Sequence, residues 1–231
     1  MLEIDDVHAS RGGAPVLSGV SLTVASGEIV AVVGRNGMGK STLMMALMGL
    51  APVTAGSISF LGRGITGRKP HEIARAGIGY VPEGRGIFHD LSVMENLLLT
   101  VPGGKRGRAA AALVQDRFPL LRERSSAPAG SLSGGQQQVL AIARALAPTP
   151  KLLVIDEFSD GVQPNLVREI ADSLVALSAE GTSVLLVEQN ATLALEISDR
   201  AYILEKGEIV ASGISAELAR DEGLLTRHLV I

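Results

Sequence analysis

Gly34-Arg35-Asn36-Gly37-Met38-Gly39-Lys40-Ser41-Thr42 decides how the rest of this chain reads. It fits the pattern G-x-x-x-x-G-K-[ST] in full. Upstream, Ile29-Val30-Ala31-Val32-Val33 is apolar on both faces, as a strand inside a parallel sheet must be. Downstream, Lys40 to Leu50 reads as a helix. Strand, glycine-rich turn and helix in that order make a phosphate cradle. The glycines let the backbone curl so that its N–H groups face phosphate oxygens. The helix N-terminus adds partial positive charge. In this reading Lys40 supplies a point charge for β- and γ-phosphates, Ser41 a hydroxyl ligand for Mg²⁺, and Thr42 support for the phosphates.

Outward from the cradle, the pattern is mixed. Leu2–His8, Val20–Val24, Gly56–Leu61 and Ile78–Val81 read as further strands. From about Glu83 to Leu146 the periodicity turns helical, with candidates at Val93–Thr100, Gly107–Phe118 and Gly134–Leu146. The basic stretch Pro102–Arg108 reads as a solvated loop. The last third alternates. Lys151–Asp156 and Ser183–Glu188 are strands, and Asn165–Ala179 and Asn190–Ile197 are helices. Ala201–Leu204 and Glu208–Ala211 pair around Lys206-Gly207. Buried strands alternating with helices imply an α/β fold with a largely parallel sheet, and the helical block makes a second lobe.

Composition removes several classes of function. The 231 residues are 46% hydrophobic and 19% charged, enough for one compact domain. A net charge of −3 and six aromatics (four Phe, two Tyr) argue against nucleic acid as a partner. With no Cys there is no disulfide, thiolate metal site or cysteine nucleophile. The four His residues have no ligand spacing. The longest apolar run, Leu43–Val53, contains Gly49 and Pro52 and is short of the ~18–20 residues of a spanning helix. The acidic start Met1–Asp6 lacks a signal pattern. The expectation is a soluble, cytoplasmic protein that serves any membrane through a partner.

Two further segments carry chemistry. Leu152-Leu153-Val154-Ile155-Asp156-Glu157 is an apolar strand ending in two acids. Beside a phosphate loop, Asp156 is placed to hold Mg²⁺ and Glu157 to take a proton from attacking water. Leu132-Ser133-Gly134-Gly135-Gln136 opens a helix, with Ser133 suited to the N-cap. It reads as a second anion-binding helix end, which one nucleotide cannot easily share with the first on the same subunit.

Taken together, Gly34–Thr42, Leu132–Gln136 and Leu152–Glu157 resemble the Walker A, signature and Walker B motifs of the ATP-binding-cassette (ABC) ATPases, over essentially the whole chain. The resemblance implies a P-loop NTPase core with an N-terminal antiparallel β-subdomain and an inserted α-helical signalling subdomain. The core would comprise residues 1–82 and 147–231, and the helical part residues 83–146. It implies a head-to-tail dimer in which Ser133, Gly134, Gly135 and Gln136 of one subunit close on ATP held by the other. Glu83 stands at the Q-loop position and Gln189 at the switch position, where most cassettes have Gln and His. Both replacements are usual in the ATPases of branched-chain amino acid importers of the LivF type. Urea-importer ATPases share some of the pattern. At these positions Glu83 would ligate Mg²⁺ or water, and Gln189 would hydrogen-bond the γ-phosphate without carrying a proton.

The resemblance also brings expected partners: a second, identical or different cassette, two transmembrane permease subunits and an extracytoplasmic solute-binding protein. The chain would lie peripherally on the inner face of the plasma membrane. Two departures stand out. Arg11 occupies the place of the adenine-stacking aromatic, where its guanidinium either stacks on the base or points to water; Val16 would cover the adenine apolarly. Phe158 and Asp160 alter the loop after Glu157, where the family has Pro-Ser-Leu-Gly. Weakened coupling between subunits is expected from that change, and a weakly hydrolysing regulatory cassette is the alternative it motivates.

Overall fold

The structure is a computed structural model that describes residues 1–229. Two sheets organise it. The first is antiparallel, in the order β2-β1-β4-β5, with β1 Leu2–Arg11, β2 Ala14–Val24, β4 Val53–Phe60 and β5 Arg63–Gly64. The second has six strands in the order β10-β9-β3-β8-β7-β6. These are β3 Ile29–Val33, β6 Ile78–Val81, β7 Leu152–Asp156, β8 Ser183–Glu188, β9 Arg200–Glu205 and β10 Glu208–Ile214. Strands β6, β7, β8, β3 and β9 run parallel, and β10 pairs antiparallel with β9.

The unbroken apolar runs of β3 and β7 follow from burial on both faces. Side chains alternate across a strand, so β3 sends Ile29, Ala31 and Val33 to one core and Val30 and Val32 to the other. The second core lies between the sheets. Leu43, Met44 and Leu47 of α1 Lys40–Leu47 fill it together with Leu2, Ile4, Leu17 and Phe60. On the opposite face pack α6 Gly134–Leu146, α7 Pro164–Ala179 and α8 Ala191–Ile197. Between β6 and β7 the regular elements are helical: α3 Val93–Leu98, α4 Lys105–Arg117, α5 Pro119–Glu123, a short 3-10 turn at Ala129–Ser131, and α6. The remaining helices are α2 Pro70–Arg75, α9 Ser215–Leu218 and α10 Glu222–His228. No helix among the described residues is long and apolar enough to cross a membrane.

Several boundaries move from their sequence-based positions. β1 and β2 are longer than read, because the chain continues through a hairpin to pair Arg11 with Ala14. α1 stops at Leu47, with Gly49 at φ 68 just beyond it. The basic stretch divides: Pro102–Gly104 is loop, but Lys105, Arg106 and Arg108 form the first turn of α4, carried by the alanines that follow.

Candidate nucleotide-binding site

The C-terminal ends of the parallel strands β3, β7 and β8 open on one cleft of about 450 Å³. Arg11, Val16, Asn36, Gly37, Gly39, Lys40, Ser41, Thr42, Glu83, Glu157, Asp160 and Gln189 line it. Arg11, Val16, Glu83, Glu157 and Gln189, far apart in sequence, thus meet the glycine loop at one place. Gly34, Arg35 and Met38 belong to the loop without lining the cleft. Gly34 lies so close to β9 that a side chain there would meet the Leu204 carbonyl oxygen at 2.4 Å. Met38 turns its sulfur toward the Lys206 amide, 3.3 Å away.

Gly39 carries the loop into α1 at φ 104, a conformation that favours glycine, and its Cβ position is only 2.9 Å from Leu17 Cδ2. That turn delivers Lys40 to the floor of the cleft, 4% exposed. Its ammonium donates to the carbonyls of Gly34 at 2.9 Å and Arg35 at 3.1 Å, and pairs with Glu157 Oε1 at 3.1 Å. The ammonium thus holds two carbonyls by hydrogen bonds and faces one carboxylate as an ion pair, so a phosphate oxygen entering the loop competes with these partners.

Glu157 is placed by β7 at φ 50, a left-handed conformation unusual for a non-glycine residue, with its amide donating to Val187 O at 2.9 Å. Below it Asp156 is 2% exposed, and its Oδ1 has no hydrogen-bond partner. Burial, with Glu157 and Glu83 nearby, pushes its carboxyl up to about 6, while the Ser41 hydroxyl and Lys40 pull it down. An unpartnered buried carboxylate oxygen beside a hydroxyl and two more acids is a set of hard oxygen donors, the kind that suits Mg²⁺ held by few side chains with water and phosphate. The residues present fit that ion.

The segment Ser133–Gln136 lies outside this cleft. There Ser133 caps α6: its hydroxyl accepts from the Gln136 amide at 3.4 Å while Gln136 Oε1 accepts from the Ser133 amide at 3.0 Å. Gly134 faces the Arg85 guanidinium, which a Cβ would meet at 3.2 Å, and a Cβ on Gly135 would strike Leu166 Cδ2 at 2.5 Å. A side chain at 135 would therefore oblige Leu166 and Val162 to shift. Two residues near the cleft were not singled out as site residues from sequence. Asp160 lines it, and Glu188 lies buried beneath it at the end of β8. Their one sequence signal is an acid closing or following an apolar strand, as Asp156 closes β7.

The ABC transporter family matches residues 17–160 of the chain. The high-affinity branched-chain amino acid transport ATP-binding protein BraG of Pseudomonas aeruginosa is 44% identical over 223 residues, covering 94% of each chain. The probable branched-chain amino acid transport ATP-binding protein LivF of Archaeoglobus fulgidus is 38% identical, covering 96% of this chain and 95% of that one. A crystal structure of a nucleotide-free ATP-binding cassette from an ABC transporter superposes with a TM-score of 0.87 at 26% identity, over 97% of both chains. Cleft, fold and relatives agree: the chain is an ATPase and belongs to the ABC transporter family of ATP-binding subunits.

Proposed function

We propose that this chain hydrolyses Mg-ATP to drive uptake of branched-chain amino acids through separate membrane subunits. The observation that carries the chemistry is the meeting of Lys40, Asp156 and Glu157 at one cleft floor. The solute is taken from the names of BraG and LivF, which resemble this chain along nearly its whole length. A urea or other small-solute importer is the competing reading.

Lys40 exchanges one of its present partners for the triphosphate, and the loop amides from Asn36 to Thr42 orient the phosphates. Once Lys40 turns to phosphate, Glu157 is freed to accept a proton from the attacking water. Ser41 and Asp156, with Glu83 at hand, would hold Mg²⁺, which would supply neutralisation of phosphate charge. Gln189, which also lines the cleft, hydrogen-bonds the terminal phosphate. Arg11 and Val16 flank the place of the base. Ser133–Gln136 serve the ATP of a second cassette, identical or different, so that the catalytic unit is a head-to-tail dimer. Residues 83–146 form the signalling lobe. Two transmembrane permease subunits and an extracytoplasmic solute-binding protein complete the transporter, with this chain peripheral on the inner membrane face. The changed loop at Phe158 and Asp160 favours one second reading, a weakly hydrolysing regulatory cassette.

Glu157→Gln tests the chemistry. ATP binding is expected to persist while turnover falls by the ~10²–10⁴ typical of a lost general base, with an ATP-trapped dimer on gel filtration. Turnover within twofold of a hydrolysing wild type contradicts the role; a wild type that barely hydrolyses supports the regulatory reading. Uptake of labelled leucine, valine and urea by cells lacking the chain identifies the solute.

A further inference from the structure

Glu188 is a buried acid to which the chemistry above gives no task. It ends β8 and is 1% exposed. Its carboxylate accepts two hydrogen bonds from one residue, the Ser159 amide at 3.1 Å and the Ser159 hydroxyl at 2.7 Å. Among the described residues no Lys, Arg or His forms an ion pair with it. A buried carboxylate without a cation is costly, and an apolar residue of similar size would suit a strand end better. What an apolar residue could not do is hold Ser159.

The held loop has neighbours on both sides. Gln189, next in the chain after Glu188, lines the phosphate cleft beside Glu157. A second cavity of about 420 Å³ is bounded by Glu157, Ser159, Asp160, Glu188, Gln189 and neighbouring residues, so loop and strand end share one wall. At its other end the loop packs on the start of α6, where a Cβ on Gly135 would lie 3.2 Å from Val162 Cγ1. Gln189, Glu188, Ser159, Val162 and Gly135 therefore form a continuous physical line from the phosphate cleft to the segment that caps α6.

We propose that Glu188 is a positioning residue: through its paired hydrogen bonds to Ser159 it fixes the loop 158–162, and so ties the Gln189 wall of the cleft to the first turn of α6. This rests on the roles given above to Gln189 and Ser133–Gln136. When Gln189 shifts toward a terminal phosphate, Glu188 and Ser159 carry the loop with it. The segment offered to a second cassette then moves as well.

Ser159→Ala removes the hydroxyl bond and leaves the backbone bond, so the fold should survive. In a full chain with wild-type turnover established, kcat is expected to fall about tenfold, within the range of coupling between contacting residues. The ATP dissociation constant should stay within about twofold. Ser159→Thr, which restores the hydroxyl, should recover most of the loss. Glu188→Gln keeps one acceptor oxygen, and combined with Ser159→Ala it should cost little more than Ser159→Ala alone. Amide hydrogen exchange reads the same clamp without turnover: Ser159→Ala should speed exchange at 158–162 and at 134–136 together. The proposal is overturned by exchange confined to 158–162, by unchanged exchange, or by losses that multiply in the double variant. An inactive wild type would refute the ATPase chemistry instead, and the exchange comparison would still decide the clamp.

Discussion

The loop after β3 and the loops after β7 and β8 border one cleft, yet they are built on different principles. The first works with its backbone: Gly34, Gly37 and Gly39 allow a close approach to β9 and left-handed turns. The others work with acids. Asp156, Glu157 and Glu188 cluster at the strand ends, Glu83 stands nearby, and Lys40 pairs with Glu157 on the cleft floor. Burial, with Glu157 adding its charge, raises Asp156 to about 6 and Glu188 to about 7. One rim is thus made for anions, and the other repels them until a cation arrives with the phosphate. The division is the electrostatic ground for the Mg-ATP chemistry proposed above.

The sharpest way to break this contrast is to remove the cation shared by the two rims. Lys40→Ala deletes a charged hydrogen bond to phosphate and leaves Glu157 without its partner. Charge-assisted bonds of about 1.5–3 kcal/mol imply roughly a 10–150-fold loss of Mg-ATP affinity by calorimetry. Affinity equal to wild type would mean that the backbone cradle binds alone and the acidic rim is inert.

A second test addresses the acidic rim itself. The folded chain holds the Glu188 proton to about pH 7, whereas the unfolded chain releases it near its ordinary 4.5. The stabilisation is therefore complete below about pH 4.5 and is lost as pH rises through 7. With about 1.4 kcal/mol per pH unit between the two values, the total reaches about 3 kcal/mol. Glu188→Gln cannot titrate. Its melting temperature relative to wild type should rise between pH 5 and pH 8, and constant effects of the substitution cancel in that difference. A difference that stays flat with pH would place Glu188 in an ordinary carboxylate environment.

The same contrast explains what the sequence disclosed. The anion rim is local, since strand, glycines, lysine and helix follow one another in a dozen residues, and it was legible. So was the family, through motifs that each sit at one strand or helix end. The acidic rim is only half local. Asp156-Glu157 is visible as a strand end, but Glu188 matters because β8 lies beside β7 in a register that puts Val187 against Asp156. Nothing near residue 188 encodes that neighbour. The β1–β2 hairpin was read short for a similar reason. Its pairing shifts register repeatedly, so Ala14 to Gly19 shows no clean alternation.

The smallest expected effect separates two uses of one oxygen. Ser133 Oγ now caps α6 by accepting from the Gln136 amide at 3.4 Å, a long bond. If its task is capping alone, Ser133→Ala should lower stability by about 1 kcal/mol, roughly 2–4 °C in a chain of this length. Ser133→Gly should cost only a few tenths, and turnover should follow stability, with the Gly variant near wild type. If the hydroxyl also serves the ATP of a second cassette, the two variants differ in melting temperature but lose turnover equally, because both lack the oxygen. Equal loss is the expected result. The long capping bond is easily exchanged for a charged acceptor, and Gln136 would then retain its own bond to the Ser133 amide at 3.0 Å. A Gly variant as active as wild type would confine Ser133 to its helix and leave the anion rim of Lys40 as the one phosphate site of each subunit.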